Sequence, residues 1–337
     1  MAESGFPGIT GYEDVIRQLK HAGRTGSVSH AYLFTGPEGC GKRKMAEAFA
    51  AMLVCEAEDP GERPCMNCSG CKRAFSGNHP DIIRVTHEKP LSISVNEIRA
   101  QLVDKAVIRP YEDKKKVFIV AEAEKMTPQA QNALLKTLEE PPEYAVILLL
   151  STNPETLLPT IRSRTLMIPL NPLPNRVVEE YIREKMEMPD YEARVIAAYA
   201  QGIIGRAEKA VRDEAFSERR DRALALVKGI HSMNAATIRE AARRMGEDRK
   251  EAEEILDLCL FIYRDILYYK AAADPGHLVF SNEIGMIRER AAAISYKALT
   301  EIIEALEQCQ GRLKANVNPE LAAELLLYRI RDCEREN

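Results

Sequence analysis

The 337-residue sequence has no long hydrophobic run, no excess of positive charge and no repeated or low-complexity tract. Its strongest apolar stretch, AVILLL at 145–150, is 6 residues long, against the roughly 20 that a membrane-spanning helix needs. The opening residues lack the basic stretch and hydrophobic core of a secretion signal, so a cytoplasmic protein with no membrane association is expected. Lys and Arg number 47 against 51 Asp and Glu, a formal net charge of −4. That excludes a chain that holds nucleic acid by bulk positive charge. A hydrophobic fraction of 45% excludes a disordered chain and is enough to core two or three domains.

Cysteine is what the chain does have, 8 of them, in a compartment expected to keep thiols reduced. Cys55, Cys65, Cys68 and Cys71 fall within 17 residues, spaced C-x9-C-x2-C-x2-C. Four thiolates at that spacing suit a closed tetrahedral Zn²⁺ site, structural because no coordination position stays open for water. Pro64 and Gly70 permit the tight turns between ligands. The alternative is four unrelated thiols in a polar loop. Cys40, Cys259, Cys309 and Cys333 are scattered and read as single buried thiols.

Apolar runs at 31–35, 82–86, 117–120 and 146–150, with a shorter one at 166–168, alternate with helical patterns at 42–54, 95–106 and 128–140. A helix at 10–24 precedes them. This pattern predicts an α/β fold, a five-stranded parallel sheet covered on both faces. Pro169, Pro172 and Pro174 mark its end, and the remainder reads as two helical pieces with a break near 212–216.

Gly36-Pro-Glu-Gly39-Cys-Gly41-Lys42-Arg43 follows the first strand and opens a helix, the context of a phosphate-binding loop, with a ligand-free glycine turn as the alternative. Its backbone N–H groups would cradle phosphate and Lys42 would reach the β and γ phosphates. Arg43 stands where a Ser or Thr hydroxyl normally meets Mg²⁺, and a guanidinium has no lone pair to offer a metal. At the end of the 117–120 strand, Ala121 stands where an Asp normally holds the metal, before Glu122, in the place of the residue that orients water. Two defects in one metal site make hydrolysis there improbable. Two readings of the pocket stand: one that still holds ATP or ADP, and one that holds neither.

Three further stretches complete the pattern: Asn132 to Pro142, Leu149-Leu-Ser-Thr152-Asn153 at a strand end, and Ile161-Arg162-Ser163-Arg164. With the four-cysteine module, His79-Pro80-Asp81, Ser163-Arg164-Thr165 and Asn316-Val-Asn-Pro-Glu320, the chain resembles the bacterial clamp-loader subunits of the AAA+ class, which serve DNA polymerase III. The resemblance covers essentially the whole chain. It implies a RecA-like AAA+ domain at 1–169 with the zinc module at 55–71, a helical lid at 170–212 and a helical collar at 213–337. It also implies that Arg164 is an arginine finger, reaching ATP on an adjacent motor subunit. Thr152 and Asn153 match the γ-phosphate sensor, and Arg206 in Gly205-Arg206-Ala207 the second sensor. The implied partners are gamma/tau and delta subunits, a sliding clamp and primed DNA, with Arg99 and Lys105 contributing to a shared DNA surface or simply to a solvated face.

Arg43 and Ala121 look like the branch of the family that has lost hydrolysis rather than gamma/tau, its ATP-driven motor. Ending at residue 337, without the long extension of tau, the sequence is likewise expected to fall in that branch. The rival reading is a gamma/tau-type motor in which Glu122 or Glu124 replaces the lost Asp. A third makes the cysteine module a nucleic-acid ribbon, but only Arg63, Lys72, Arg73 and Phe75 supply basic or aromatic side chains around it.

Overall fold

The structure, a computed structural model, describes residues 6–111 and 115–335. It divides into two compact units, one of residues up to Leu173 with Ile203–Gly205, the other of Pro174–Gly202 with Arg206 onward.

The first unit is built on five parallel strands, β1 (Ala31–Thr35), β2 (Ile82–Val85), β3 (Lys116–Val120), β4 (Ala145–Ser151) and β5 (Leu166–Pro169), in the order β2-β3-β4-β1-β5. The expected sheet is present with all five strands in place. β1, β3 and β4 are buried along their whole length, as apolar runs flanked by helices on both faces require. Side chains alternate between two cores. Tyr32, Phe34, Val117, Ile119 and Leu148 share one face with Ile16 and Leu19 of α1 (Glu13–Thr25) and Met45 and Phe49 of α2 (Lys42–Leu53). Leu33, Phe118, Val120, Ile147 and Leu149 face the opposite core.

Two helical segments depart from the sequence reading. The loop expected over 55–71 turns helical at its end, as α3 (Ser69–Phe75), with the Cys68 thiol capping its first turn. The single helix expected over 95–106 is α4 (Val95–Ile98), a π-helical turn over Arg99–Val103, and α5 (Asp104–Ala106). Within the wide turn the Gln101 side-chain amide pairs with the backbone of Thr86, accepting from its N–H at 2.9 Å and donating to its carbonyl at 2.7 Å. That tie holds the turn to the end of β2. α6 (Pro128–Glu139) starts at a Thr127 cap with Pro128 in its first turn and stops before Pro141-Pro142. A short α7 (Pro159–Arg162) leads into β5.

The second unit is helical: α8 (Asn175–Lys185), α9 (Asp190–Ala200), α10 (Ile204–Arg212, whose first two residues belong to the first unit), α11 (Ala215–Gly229), α12 (Ala235–Glu247), α13 (Arg249–Ala272), α14 (Ile284–Ala293), α15 (Tyr296–Lys314) and α16 (Pro319–Arg335). Helix α13 is its centre, burying Leu256, Cys259, Ile262, Tyr263 and Ile266, with Leu299, Ile302 and Leu306 of α15 and Leu326, Leu327 and Ile330 of α16 also in the core. Cys40, Cys259, Cys309 and Cys333 are buried thiols, as read from the sequence. No helix among the described residues is long and apolar enough to cross a membrane.

Candidate functional site

Parallel strands bring their C-terminal ends to one edge of the sheet, and there β1, β3 and β4 deliver most of the residues singled out above. The glycine-rich loop leaves β1, and Gly41, at φ 99°, turns it into α2. Lys42 Nζ donates to the carbonyls of Gly36 at 2.6 Å and Pro37 at 2.8 Å, so its ammonium is satisfied by its own loop. The Gly39 carbonyl accepts from the N–H of Gly205 at 3.0 Å. A Cβ on Gly205 would lie 2.7 Å from that oxygen, so glycine is required for the approach. Arg43, in the first turn of α2, is exposed.

At the end of β3, Ala121 offers a methyl group where a metal ligand is expected. Glu122 follows in a left-handed conformation, φ 53°. Its two oxygens are taken by Lys125 Nζ at 2.6 Å and His87 Nε2 at 3.3 Å. The hydrogen bond from Lys125 outweighs the modest desolvation and holds the carboxyl below its usual range. Glu124 Oε1 accepts from the Thr152 hydroxyl at 2.6 Å and from its backbone N–H at 3.3 Å, joining the ends of β3 and β4. Asn153 Oδ1 accepts from the N–H of Glu155 and caps the turn that follows β4.

Arg164 stands at the other edge. β5 pairs with β1 so that Leu166 lies opposite Tyr32 and Pro169 opposite Thr35. Arg164, just before Leu166, is thus level with the start of β1, while the glycine-rich loop begins beyond its end. At about 3.3 Å per strand residue the separation is on the order of 20 Å. Arg164 Nη2 lies 2.9 Å from Glu139 Oε1, Nη1 donates to the Thr160 carbonyl at 3.1 Å, and the side chain is 38% exposed. Arg162 is paired with Glu155 at 2.6 Å. In the helical unit, Arg206 Nη2 lies 2.5 Å from Asp257 Oδ2 and its guanidinium sits 4.2 Å from the centre of the Tyr199 ring.

The four clustered cysteines converge from separate pieces of chain. One ligand atom from each of Cys55, Cys65, Cys68 and Cys71 lies within 4.8 Å of all the others, and Cys55 Sγ is 3.9 Å from Cys68 Sγ. A tetrahedral Zn–S length near 2.3 Å implies sulfur separations of about 3.8 Å, so the set is close to closed around a metal. Backbone N–H groups of Cys65, Cys68 and Cys71 point at the sulfurs of Cys55, Cys65 and Cys68 at 3.3–3.4 Å. The N–H groups of Cys68 and Asn67 lower the Cys65 thiol to about 6, while burial raises Cys55 and Cys71. Gly70 packs against the chain before Cys55: a Cβ there would stand 2.5 Å from the Val54 carbonyl. The cluster can hold a metal ion.

Sequence reading missed the partners. Lys125, one turn from Glu122, was locally readable as a neutralising cation. Glu139, His87 and Asp257 approach from distant elements, and no local pattern announces them.

A glycine-rich loop after the first strand, the strand order β2-β3-β4-β1-β5 and strand-end motifs on one edge define a P-loop α/β domain of the AAA+ class, joined to a helical unit. Residues 11–174 match the family described as DNA polymerase III, delta subunit, and 224–332 match its C-terminal counterpart. The DNA polymerase III subunit delta' of Bacillus subtilis is 30% identical over 94% of this chain and 95% of its own, and that of Yersinia pestis is 29% identical over 90% of each. The chain belongs to the DNA polymerase III delta'-subunit family. It is also 28% identical to the B. subtilis subunit tau, over 96% of this chain and 61% of tau. Among solved structures, a gamma-subunit-related protein of Thermotoga maritima aligns with 94% of this chain and all of its own at 22% identity and a TM-score of 0.41.

Proposed function

We propose that this chain is a delta'-type subunit of the DNA polymerase III clamp loader that does not hydrolyse ATP itself and supplies Arg164 to nucleotide on a neighbouring subunit. The observation that carries the reading is the position of Arg164, at the sheet edge opposite its own glycine-rich loop. From there it can serve phosphate only in trans. A guanidinium placed on a transferring phosphoryl group stabilises the charge that develops in the transition state.

The chain's own pocket supports the passive half of the reading. Arg43 and Ala121 replace both expected metal-binding residues. Glu122 and Glu124, the candidates to substitute for them in a gamma/tau-type motor, are engaged by Lys125 and His87 and by Thr152. Gly36, Gly39, Gly41, Lys42, Arg43, Glu122 and Asn153 are then a relict of a nucleotide pocket for ATP or ADP. Cys55, Cys65, Cys68 and Cys71 hold a structural Zn²⁺, which fixes the module without taking part in chemistry. Gamma/tau and delta subunits, the sliding clamp and primed DNA are the partners, in the cytoplasm. Residues 170–212 then serve as the lid and 213–337 as the collar.

The test is ATP hydrolysis by a clamp loader reconstituted with this subunit. Arg164→Ala should leave folding and assembly intact and lower DNA-stimulated turnover at least 10-fold, toward the ~10³ typical of such arginines. Unchanged turnover in an intact complex removes the assignment. ATP turnover by the isolated chain, abolished by Lys42→Ala, would identify it as a motor instead.

A further inference from the structure

Ion pairs join the short helices α8–α10 to the long helices that follow. On α13, Glu254 and Asp257 lie one turn apart and face the same way. Asp257 Oδ2 takes Arg206 of α10 at 2.5 Å, and its other oxygen accepts from Gln310 Nε2 of α15 at 2.7 Å. Both carboxylate oxygens are committed, so Asp257 is held in one orientation. The pair is largely shielded from water, with 29% of the Arg206 side chain and 23% of Asp257 exposed. Tyr199 of α9 covers one face of the Arg206 guanidinium at 4.2 Å and packs against Phe216 of α11, ring centres 5.0 Å apart. Beside this, Arg219 of α11 bridges Asp213 and Glu254, spanning the link between α10 and α11 and reaching α13.

We infer that Arg206 is a fixed pin rather than a nucleotide sensor. It fastens the short helices to α13, so that residues 174–202, residues 206–212 and the long helices move as one body. The assignment is independent of the role of Arg164. An arginine that senses phosphate must be free to change partners, and a phosphate must compete with its present ones. Here the competitor is a carboxylate already oriented by a second side chain, with an aromatic face stacked on the guanidinium. Releasing the pair would leave Asp257 partly buried beside Glu254 with one positive neighbour removed, a cost that keeps the joint closed.

Hydrogen exchange on the full-length chain tests the inference. Arg206→Ala and Asp257→Ala should each speed exchange of the α8–α10 amides about tenfold, while the double variant exchanges no faster than either. The charge-swapped pair, Arg206→Glu with Asp257→Arg, should regain part of the protection. That result separates loss of the pin from a general failure of the helices to fold. Additive effects of the two substitutions, or exchange unchanged by either, would overturn the inference. So would an Asp257→Ala chain that binds ATP more tightly than wild type through Arg206, with the gain lost on adding Arg206→Ala.

Discussion

At Asp265, burial and hydrogen bonding pull one carboxylate in opposite directions. The side chain lies in the helical unit and the residue is 5% exposed, accepting from the N–H groups of Phe280 at 2.7 Å and Val279 at 3.1 Å. Desolvation wins over those two bonds and the field of Arg194, and the carboxyl rises from 3.8 to about 6. Between about pH 4 and 6 the folded chain therefore keeps a proton that the unfolded chain has released, and stability falls as pH rises through that window. Two pKa units amount to roughly 3 kcal/mol. Asp265→Asn cannot titrate, so wild type should lose up to that amount relative to the variant between pH 4 and 6.5. Urea unfolding of both proteins across the window measures it, and parallel curves would contradict it. Residues of this kind show how far sequence reaches. Arg43 and Ala121 were legible because each breaks a motif of known chemistry at a fixed offset. Asp265, Asp257 and Glu139 were not, since their meaning comes from segments that only folding brings near.

At the scale of the element, period and punctuation located nearly all of the sheet. β1, β3 and β4 are short apolar runs bounded by turn residues, and their alternation into two cores follows from the pleat. The π-helical turn at Arg99–Val103 has no signature in the sequence because its tie is made by Gln101 to Thr86, a contact with no helical periodicity. The cysteine module was visible as spacing, but its helical end was not. A seven-residue helix leaves little periodic signal, and α3 owes its start to Cys68 as both cap and candidate metal ligand. This coupling has a consequence for metal binding. Cys68→Ser should reduce zinc content from one ion per chain to near zero by elemental analysis, and should raise hydrogen exchange over residues 55–75. The amides of β1, β3 and β4 should be unaffected, since their cores are built from other side chains. A variant that keeps its zinc, or whose strands lose protection too, would show that the module is not an independent metal-organised element.

At the scale of the whole molecule, proline placement at 169–174 leads to an expected sheet domain over 1–169, while the first compact unit comprises residues up to Leu173 together with Ile203–Gly205. Helical periodicity announces the remainder but not how it is held together, because the decisive contacts join its last helix to helices far away in the chain. The Glu334 side chain, on the last turn of α16, is fully buried. It receives Arg290 Nη1 of α14 at 3.1 Å and the Tyr263 hydroxyl of α13 at 2.8 Å. Arg290 Nη2 also donates to the Val227 carbonyl at 2.7 Å, bringing α11 into the same knot. Burial pushes the Glu334 carboxyl up while Arg290 pulls it down, the balance expected of a buried ion pair. Exposed pairs such as Arg176–Glu180 are worth ~1 kcal/mol or less. Removing one partner of a buried pair typically costs about 3–5 kcal/mol, because the other charge is stranded. Glu334→Ala should therefore destabilise the helical unit by about that amount in urea unfolding, and Arg176→Ala by a small fraction of it. Replacing both charges, Arg290→Met with Glu334→Leu, should recover much of the loss, because no lone charge remains buried. If the double variant is as unstable as Glu334→Ala, the knot acts through its hydrogen bonds to Val227 and Tyr263 rather than through charge.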